Sequence, residues 1–352
     1  MPNAKPAAVA PLNEFNQAMR PVSLWADAWR RLKKNKMALA GLYIVCLYVA
    51  VTLLAPILPI YPNEEQVISH ANLPPSFRPA GEVMIDTRVA YMRKVLKSEG
   101  RSAFNDKESA DIEAMKADVK TNPEHRRVYL LGTDALGRDM LSRILFGGRI
   151  SIMIGLVGTI TATLVGILLG SIAGYAGGRV DNFIMRFVDI LYGLPYMLVV
   201  IIMMAVFGKN VINLFVAIAL VSWLTLARVV RGQVISLKNA EFVEAARSMG
   251  AGPARIVFRH LTPNTLGVIV VFATLLVPDF IMSESFLSFL GLGVSAPLAS
   301  LGSLVSEGTN TMELYPWQLL VPAIAMTLFL FAMNFLGDGL RDALDPQSKN
   351  RL

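Results

Sequence analysis

Few side chains of this sequence combine the type and the spacing that catalysis or metal binding requires. The three histidines, His70, His125 and His260, lie far apart and lack the short spacing of metal ligands. No G-x-x-x-x-G-K-S/T stretch occurs, so the chain has no P-loop for a nucleotide. Its single cysteine, Cys46, lies in an apolar run and cannot form an intrachain disulfide. We therefore expect no enzymatic activity, no metal site and no cofactor in this chain.

Two carboxylates require an explanation, because Asp279 and Glu284 lie toward the end of a long apolar stretch with no nearby cation in the sequence. A charge in hydrocarbon is costly, so each should face a partner group or a wet cavity. One role would be to line a pathway and hold the amino terminus of a peptide. The other, which we favour, is to cap the segment that follows.

The polar loop Glu241–Asn264, between two apolar runs, has the pattern of a helix-turn-helix. Phe242, Val243, Ala246 and Met249 lie near one helical face, and the small alanines Ala245 and Ala246 would let another backbone approach closely. Gly250 is expected to end the first helix in the left-handed conformation, and Pro253 to begin the second. The pattern fits both an amphipathic loop on the lipid surface and a docking site for a partner.

The elements that must position these residues are membrane helices. Of 352 residues, 54% are hydrophobic and only 17% charged, which indicates an all-α, polytopic membrane protein. Each window below approaches the roughly 20 residues that cross a bilayer. The six predicted spans are Met37–Asn63, Ile150–Gly178, Ile190–Gly208, Asn210–Ala227, Leu261–Pro278 and Leu314–Gly337.

Lysine and arginine set the predicted orientation. They are abundant before the first span, in the loop between spans four and five, and in the tail, whereas Ser285–Glu313 has none. Both termini and the Glu241–Asn264 loop are therefore expected in the cytoplasm. The uncharged segment Ser285–Ser306 is rich in serine and glycine, and we expect it to be re-entrant or periplasmic, since a seventh span would send the basic tail outside.

The chain divides into segments along these lines. Thr133 or Asp134 is expected to cap a helix that runs through Gly147 along the outer surface. The predicted segments are a disordered cytoplasmic leader (1–22), an interfacial helix with the first span (23–60), a periplasmic lobe (61–129), an interfacial helix (130–149), a membrane core (150–342) that includes the loop 240–262, and a cytoplasmic tail (343–352).

Two features of the spans concern their packing. Gly166, Gly170, Gly174 and Gly178 repeat every four residues in span two, which favours close contact with another helix, and we expect that helix to belong to this chain. Pro195, Pro278 and Pro322 interrupt spans three, five and six and permit bends.

Several spaced motifs resemble the permease subunits of ABC importers, in the oligopeptide and dipeptide branch, and are most similar to its C-type oligopeptide subunit. The loop carries the EAA signature, with Glu244-Ala245-Ala246, Gly250 and Pro263, although His260 and Thr262 depart from the wider family. The other matching segments are Leu131–Asp139, Gly147–Ser151, Ser285–Gly293 and Gly337–Pro346.

The resemblance implies a six-helix type I importer fold in a bacterial inner membrane and a docking role for the loop. The implied ATPase-coupling residues are Glu241, Phe242, Glu244, Ala245, Ala246, Met249 and Gly250, in a loop from Glu241 to His260. The implied partners are a homologous permease subunit, two cytoplasmic ABC ATPases that use ATP and Mg, an extracytoplasmic peptide-binding protein and the lipid bilayer, without nucleic acid.

Two alternatives remain. A permease subunit for dipeptides or a metal chelate would share nearly all these motifs. A stand-alone secondary carrier or channel would need its own coupling groups, often in two inverted halves, and the sequence contains no such repeat.

Overall fold

The computed structural model describes residues 24–344, and within them it contains helices and loops without a β-strand. The predicted leader and the end of the predicted tail lie outside the described residues. The helices are α1 (Leu24–Lys34), α2 (Lys36–Leu54), α3 (Ala80–Ser98), α4 (Asp106–Thr121), α5 (Met140–Ala176), α6 (Gly178–Tyr192), α7 (Tyr196–Phe207), α8 (Val211–Leu237), α9 (Glu241–Ser248), α10 (Pro253–Arg255), α11 (Thr262–Phe289), α12 (Leu301–Thr309) and α13 (Trp317–Leu344).

In the described part of the chain, five helical stretches are long and apolar enough to cross a membrane, namely α2, α5, α8, the run from Pro253 to Phe289, and α13. Large apolar side chains such as Leu47, Leu164 and Ile324 are exposed on their outer surfaces. A bilayer covers such surfaces without an energetic cost, because lipid tails are as apolar as leucine. The predicted first span is shorter than expected, since α2 ends at Leu54.

The predicted third span, Ile190–Gly208, is wrong as a single helix. Helices α6 and α7 meet at an angle of 78° across the short break that contains Gly193 and Pro195. Proline has no N–H to continue the helical ladder, so the chain bends there. Helix α7 has only 12 residues, which is too short to cross a bilayer alone.

The packing at the chain ends decides whether this bent pair crosses the membrane. Helix α1 packs on the last turns of α13, where Leu32 and Ala38 contact Ala343. Both ends of the described chain therefore lie at one membrane face, which requires an even number of crossings. Five crossings would separate them, so α6 and α7 together form the sixth.

The predicted interfacial helix 130–149 is not a separate helix, because its second half is the beginning of α5. Neither Thr133 nor Asp134 caps it; Asp139 does, accepting hydrogen bonds from the backbone N–H groups of Leu141 (3.3 Å) and Ser142 (3.1 Å). The helix then continues without a break through the second span to Ala176. The helix continues through Gly147 and Gly148. The missing side chains of these glycines leave room for Leu304 of α12 and for Tyr48 of α2.

Three glycines of the predicted repeat pack within this chain, as expected, whereas the fourth, Gly178, lies after the end of α5 and has no neighbour within 4 Å of a Cβ position. A Cβ atom at Gly166, Gly170 or Gly174 would collide with α8 around Leu226, Ala227 and Val234. Helices α5 and α8 therefore approach backbone to backbone and form the central pair of the membrane core.

The segment Ser285–Ser306 does not cross the membrane, as predicted, but its first residues belong to α11. That helix passes through Pro278 and ends at Phe289. A loop then leads to α12, which at nine residues is too short to span a bilayer. Helix α12 packs against α5, α11 and α13.

The predicted lobe, residues 61–129, contains α3 and α4; we name it the outer lobe. It is joined to the core by Gln318 of α13, whose side chain donates hydrogen bonds to the Asn72 side chain (2.8 Å) and the Thr133 carbonyl (3.0 Å). We call this membrane face the outer face, and the opposite one, where α1 and α9 lie, the coupling face.

Candidate functional site

The loop at the coupling face folds as a short helix followed by a second helical segment. Helix α9 covers Glu241–Ser248, and Gly250 follows with a φ of +83°, a value that favours glycine. The Gly250 N–H donates to the Arg247 carbonyl and the Ala251 N–H to the Ala246 carbonyl, which is a Schellman motif. The predicted role of Gly250 as the helix stop is confirmed, as is the restart at Pro253.

The face predicted for docking is divided between two surfaces. Val243 and Ala246 are fully buried against a cluster from α8 and the segment before α11. That cluster contains Val230, Val234, Ile256, Val257 and Leu261. Ala246 is therefore a packing residue of α9 and gives a partner no direct contact, contrary to the predicted docking face.

The exposed stripe of α9 consists of Phe242, Ala245 and Met249, spaced i, i+3 and i+7, so that they lie on one side of the helix. Met249 is 81% exposed, although it is a large apolar residue. Glu241 and Glu244 are also exposed. We call Phe242, Ala245 and Met249 the coupling stripe. Its exposure is typical of a surface that another molecule covers.

Two features beside the stripe were not anticipated from the sequence. Ile256–Leu261 forms a π-helical turn, a rare geometry that is frequent at functional sites. Within it, Phe258 is exposed and adds a third large apolar side chain to this surface. The sequence shows a phenylalanine in a basic loop. Whether its side chain is exposed or buried depends on the π-helical turn.

Two arginines of α8, the helix that leads into the coupling loop, form ion pairs with α6. Arg231 forms a two-pronged ion pair with Asp181, a buried residue in the first turn of α6, with distances of 2.5 and 2.6 Å. Arg228 pairs with Asp189 at 2.7 Å and stacks on Tyr192, 4.1 Å from the ring centre. These contacts connect the coupling loop, through α8, to the bent pair.

Glu284 is a structural residue. Its side chain is fully buried, and its Oε1 atom accepts hydrogen bonds from the hydroxyls of Ser288 and Ser300, both at 2.6 Å. Ser300 is the N-cap of α12, so Glu284 fastens that helix to α11. The structure thus agrees with the capping role for Glu284 and removes it from any open pathway in this conformation.

Asp279 has a different environment. It is exposed on the chain surface and lies in a cleft of about 540 Å³ formed by α6, α7, α8 and α11. Within residues 24–344, no side chain forms an ion pair with its carboxylate. The two predicted pathway residues are therefore separated, and only Asp279 borders an open space.

A buried ionic cluster on the outer face was not predicted. Asp134 pairs with Arg138 (2.6 Å) and with Arg143 (2.7 Å), and Arg143 also contacts Glu307 of α12 (2.8 Å). Asp134 and both arginines are buried. The i, i+4 spacing of Asp134 and Arg138 was the available signal. The cluster joins α12 to the start of α5, a structural role for the Leu131–Asp139 motif.

Comparisons with known proteins agree with this architecture. Residues 166–350 match the family described as binding-protein-dependent transport system inner membrane component. Residues 23–75 match the N-terminal TM domain of oligopeptide transport permease C.

Individual relatives extend over nearly the whole chain. The oligopeptide transport system permease protein OppC of Escherichia coli K12 is 43% identical over 327 residues, covering 93% of this chain and 92% of that protein. OppC of Haemophilus influenzae is 40% identical over 327 residues, covering 93% and 90%. The dipeptide transport system permease protein DppC of Bacillus subtilis 168 is 39% identical over 336 residues, covering 95% and 89%. The chain therefore belongs to the family of binding-protein-dependent transport system inner membrane components and is a multi-pass protein of the bacterial inner membrane.

Proposed function

We propose that this chain is the membrane subunit of an ATP-driven peptide importer and forms half of its translocation pathway. The observation that carries the proposal is the similarity, along almost the full length, to permease proteins named for oligopeptide and dipeptide transport. The absence of a P-loop from the sequence is consistent with a non-catalytic subunit.

The proposed partners follow from that role. A homologous permease subunit supplies the other half of the pathway, and an extracytoplasmic peptide-binding protein delivers the substrate. Two cytoplasmic ABC ATPases hold ATP and Mg, so this chain itself needs no cofactor. The coupling stripe supports an ATPase contact, because Phe242 and Met249 are large apolar side chains exposed outside the spans.

The attachment of α9 explains how movement of an ATPase would reach the membrane. Val243 and Ala246 fix α9 to the end of α8 and to the start of α11, so a displacement of α9 must move both helices. Arg231 and Arg228 then transmit the movement from α8 to α6. Movement of α9 would therefore make the spans rock together as a rigid body.

The coupling stripe can be tested with two variants that add the same side chain at the coupling face. Ala245→Arg places a long cation in the stripe, whereas Ser236→Arg places the same cation at an exposed position in the last turns of α8, outside the stripe. We expect Ala245→Arg to abolish ATP-dependent peptide uptake and to release the ATPases during purification of the complex. Ser236→Arg should retain both properties, and both variants should keep the wild-type melting temperature.

Normal uptake and retained ATPases in the Ala245→Arg variant would contradict the proposed contact. Ala246→Arg is unsuitable for this test, since a buried cation in the α9 core would disturb folding. Uptake that persists without ATPase subunits would instead favour a stand-alone carrier or channel.

A dipeptide importer is the second candidate, favoured by the 39% identity to DppC of Bacillus subtilis. The two functions differ in the length of the transported peptide. Competition of di-, tri- and pentapeptides for uptake by the reconstituted complex separates them, since a dipeptide system should reject the pentapeptide.

A further inference from the structure

The cleft beside Asp279 lies where the bent pair breaks. Tyr192 ends α6 and Tyr196 begins α7, so the break places a phenol on each side of the opening. Helices α8 and α11 form the other walls. The polar members of the lining are Tyr192, Tyr196, Ser222, Thr225, Asp279 and Ser283, and the others are apolar. A volume of about 540 Å³ is within the size range of sites for small ligands.

The position of Asp279 excludes a simple packing role. It lies about 25 Å along α11 from the first residue of that helix, toward the outer end of a stretch apolar enough to cross a membrane. A carboxylate facing lipid at this depth would be strongly unfavourable. Arg228, which lies over the Tyr192 ring at this cleft, already pairs with Asp189. Asp279 therefore contributes an uncompensated negative charge to the cleft.

The neighbouring hydroxyls suit the same kind of ligand. The Tyr196 hydroxyl lies close to the side chains of Ser283 and Ser222 and near the Asp279 carboxylate. An ammonium group has three N–H donors and no acceptor, so a carboxylate and several hydroxyl oxygens complement it. An anion would be repelled by Asp279.

We propose that Asp279, with the hydroxyls of Tyr196, Ser222 and Ser283, receives the α-ammonium group of a peptide during its passage. This inference rests on the proposed peptide-import function and names the part of the substrate that the cleft binds. The apolar remainder of the lining touches the peptide without selecting its side chains. The exposure of Asp279 keeps the interaction weak, as a transport pathway requires, because a tightly held substrate would not leave.

Uptake of tri-alanine by the reconstituted complex with its binding protein tests the site. Asp279→Asn should lower uptake about tenfold, the loss expected when a charge-assisted hydrogen bond is removed, and Asp279→Glu should restore most of it. Asp338→Asn, which removes a charge from an exposed position of α13, should leave uptake unchanged. ATP hydrolysis stimulated by the loaded binding protein should persist in Asp279→Asn, since the coupling loop is intact.

Unchanged uptake in Asp279→Asn, or equal losses with Asn and Glu, would overturn the inference. A wild-type complex that transports no peptide is a different result, because it would reject the proposed function and with it this site.

Protection of a cysteine identifies the ammonium group directly. Met282 lines the cleft and is exposed, so Met282→Cys in a Cys46→Ala background gives a single reporter thiol. In the ATP-trapped complex, millimolar tri-alanine should slow labelling by a membrane-impermeant maleimide severalfold, and N-acetyl-tri-alanine should not. Adding Asp279→Asn should remove the protection. Equal protection by the two peptides, or protection that survives Asp279→Asn, would contradict an ammonium site.

Discussion

Two carboxylates on one helix illustrate how the environment of a residue decides its role. Asp279 and Glu284 both interrupt an apolar sequence, yet one borders a cleft and the other is enclosed. The difference arises from the partners that reach them: Ser288 and Ser300 donate hydrogen bonds to one carboxylate oxygen of Glu284, whereas no side chain of the described part of the chain pairs with Asp279. Helical spacing places them on different sides of α11.

Glu284 should behave as a structural acceptor. Glu284→Gln keeps a carbonyl oxygen for the two serine hydroxyls, so we expect a small change in stability and normal transport. Glu284→Ala leaves both hydroxyls unsatisfied and opens a cavity, which should cost about 2–4 kcal/mol and detach α12. The melting temperatures of the two purified variants measure this difference. A Gln variant that folds normally but does not transport would show a role beyond packing.

At the scale of elements, sequence patterns predicted the presence of helices better than their ends or the side that each one exposes. The apolar period and Gly250 were sufficient to predict α9, because both are local properties. Which alanine faces a partner was not predictable, since it depends on Ile256 and Leu261, which return to α9 only after the turn. Likewise, α5 extends through Gly147 because α12, more than 150 residues later, packs there.

The outer lobe contains a chain of hydrogen bonds that runs from Tyr129 through two buried histidines to Asp118 of α4. Tyr129 contacts His70 Nδ1 (3.0 Å), His70 Nε2 contacts His125 Nδ1 (2.7 Å), and His125 Nε2 contacts Asp118 (2.9 Å). Neutral histidines satisfy every link if Tyr129 donates to His70, His70 to His125, and His125 to Asp118. Burial, together with His125 and Arg127, lowers the pKa of His70 to about 4.

This arrangement predicts that acid loosens the lobe. Well above pH 6.5, His70 is neutral in both the folded and the unfolded lobe, so its titration does not change the free energy of unfolding. Between pH 6.5 and pH 4, only the unfolded lobe binds the proton. Stability therefore falls as the pH falls through this window, by about 2 kcal/mol at pH 5. Hydrogen-exchange protection of α3 and α4 in the intact protein, corrected for intrinsic rates, should decrease accordingly between pH 7 and pH 5. His70→Gln should show a smaller decrease, and equal wild-type protection at both pH values would contradict the prediction.

For the whole molecule, helix packing and charge lead independently to one topology. The contact between α1 and α13 requires an even number of crossings, and Gln318 keeps the outer lobe at the same face as the start of α13. The loop rich in lysine and arginine and the end of α13, with Arg341, fall on the opposite, coupling face, whereas Ser285–Glu313, which lacks both residue types, falls on the outer face. The positive-inside rule therefore predicts a cytoplasmic position for the coupling face.

Single cysteines in a Cys46→Ala background test this topology and the crossing of the bent pair together. Ser109→Cys in the outer lobe and Ser248→Cys in α9 are both at exposed positions. If α6 and α7 together cross the membrane once, positions 109 and 248 lie on opposite sides of it. An impermeant thiol reagent should then label position 109 in intact cells, and position 248 only after permeabilisation. Tags at the two chain ends should behave like position 248. If the bent pair returned to the face it entered, α8 would run the other way and positions 109 and 248 would lie on the same side. Equal labelling of the two positions in intact cells would therefore overturn the six-crossing arrangement, and with it the cytoplasmic position of the coupling stripe.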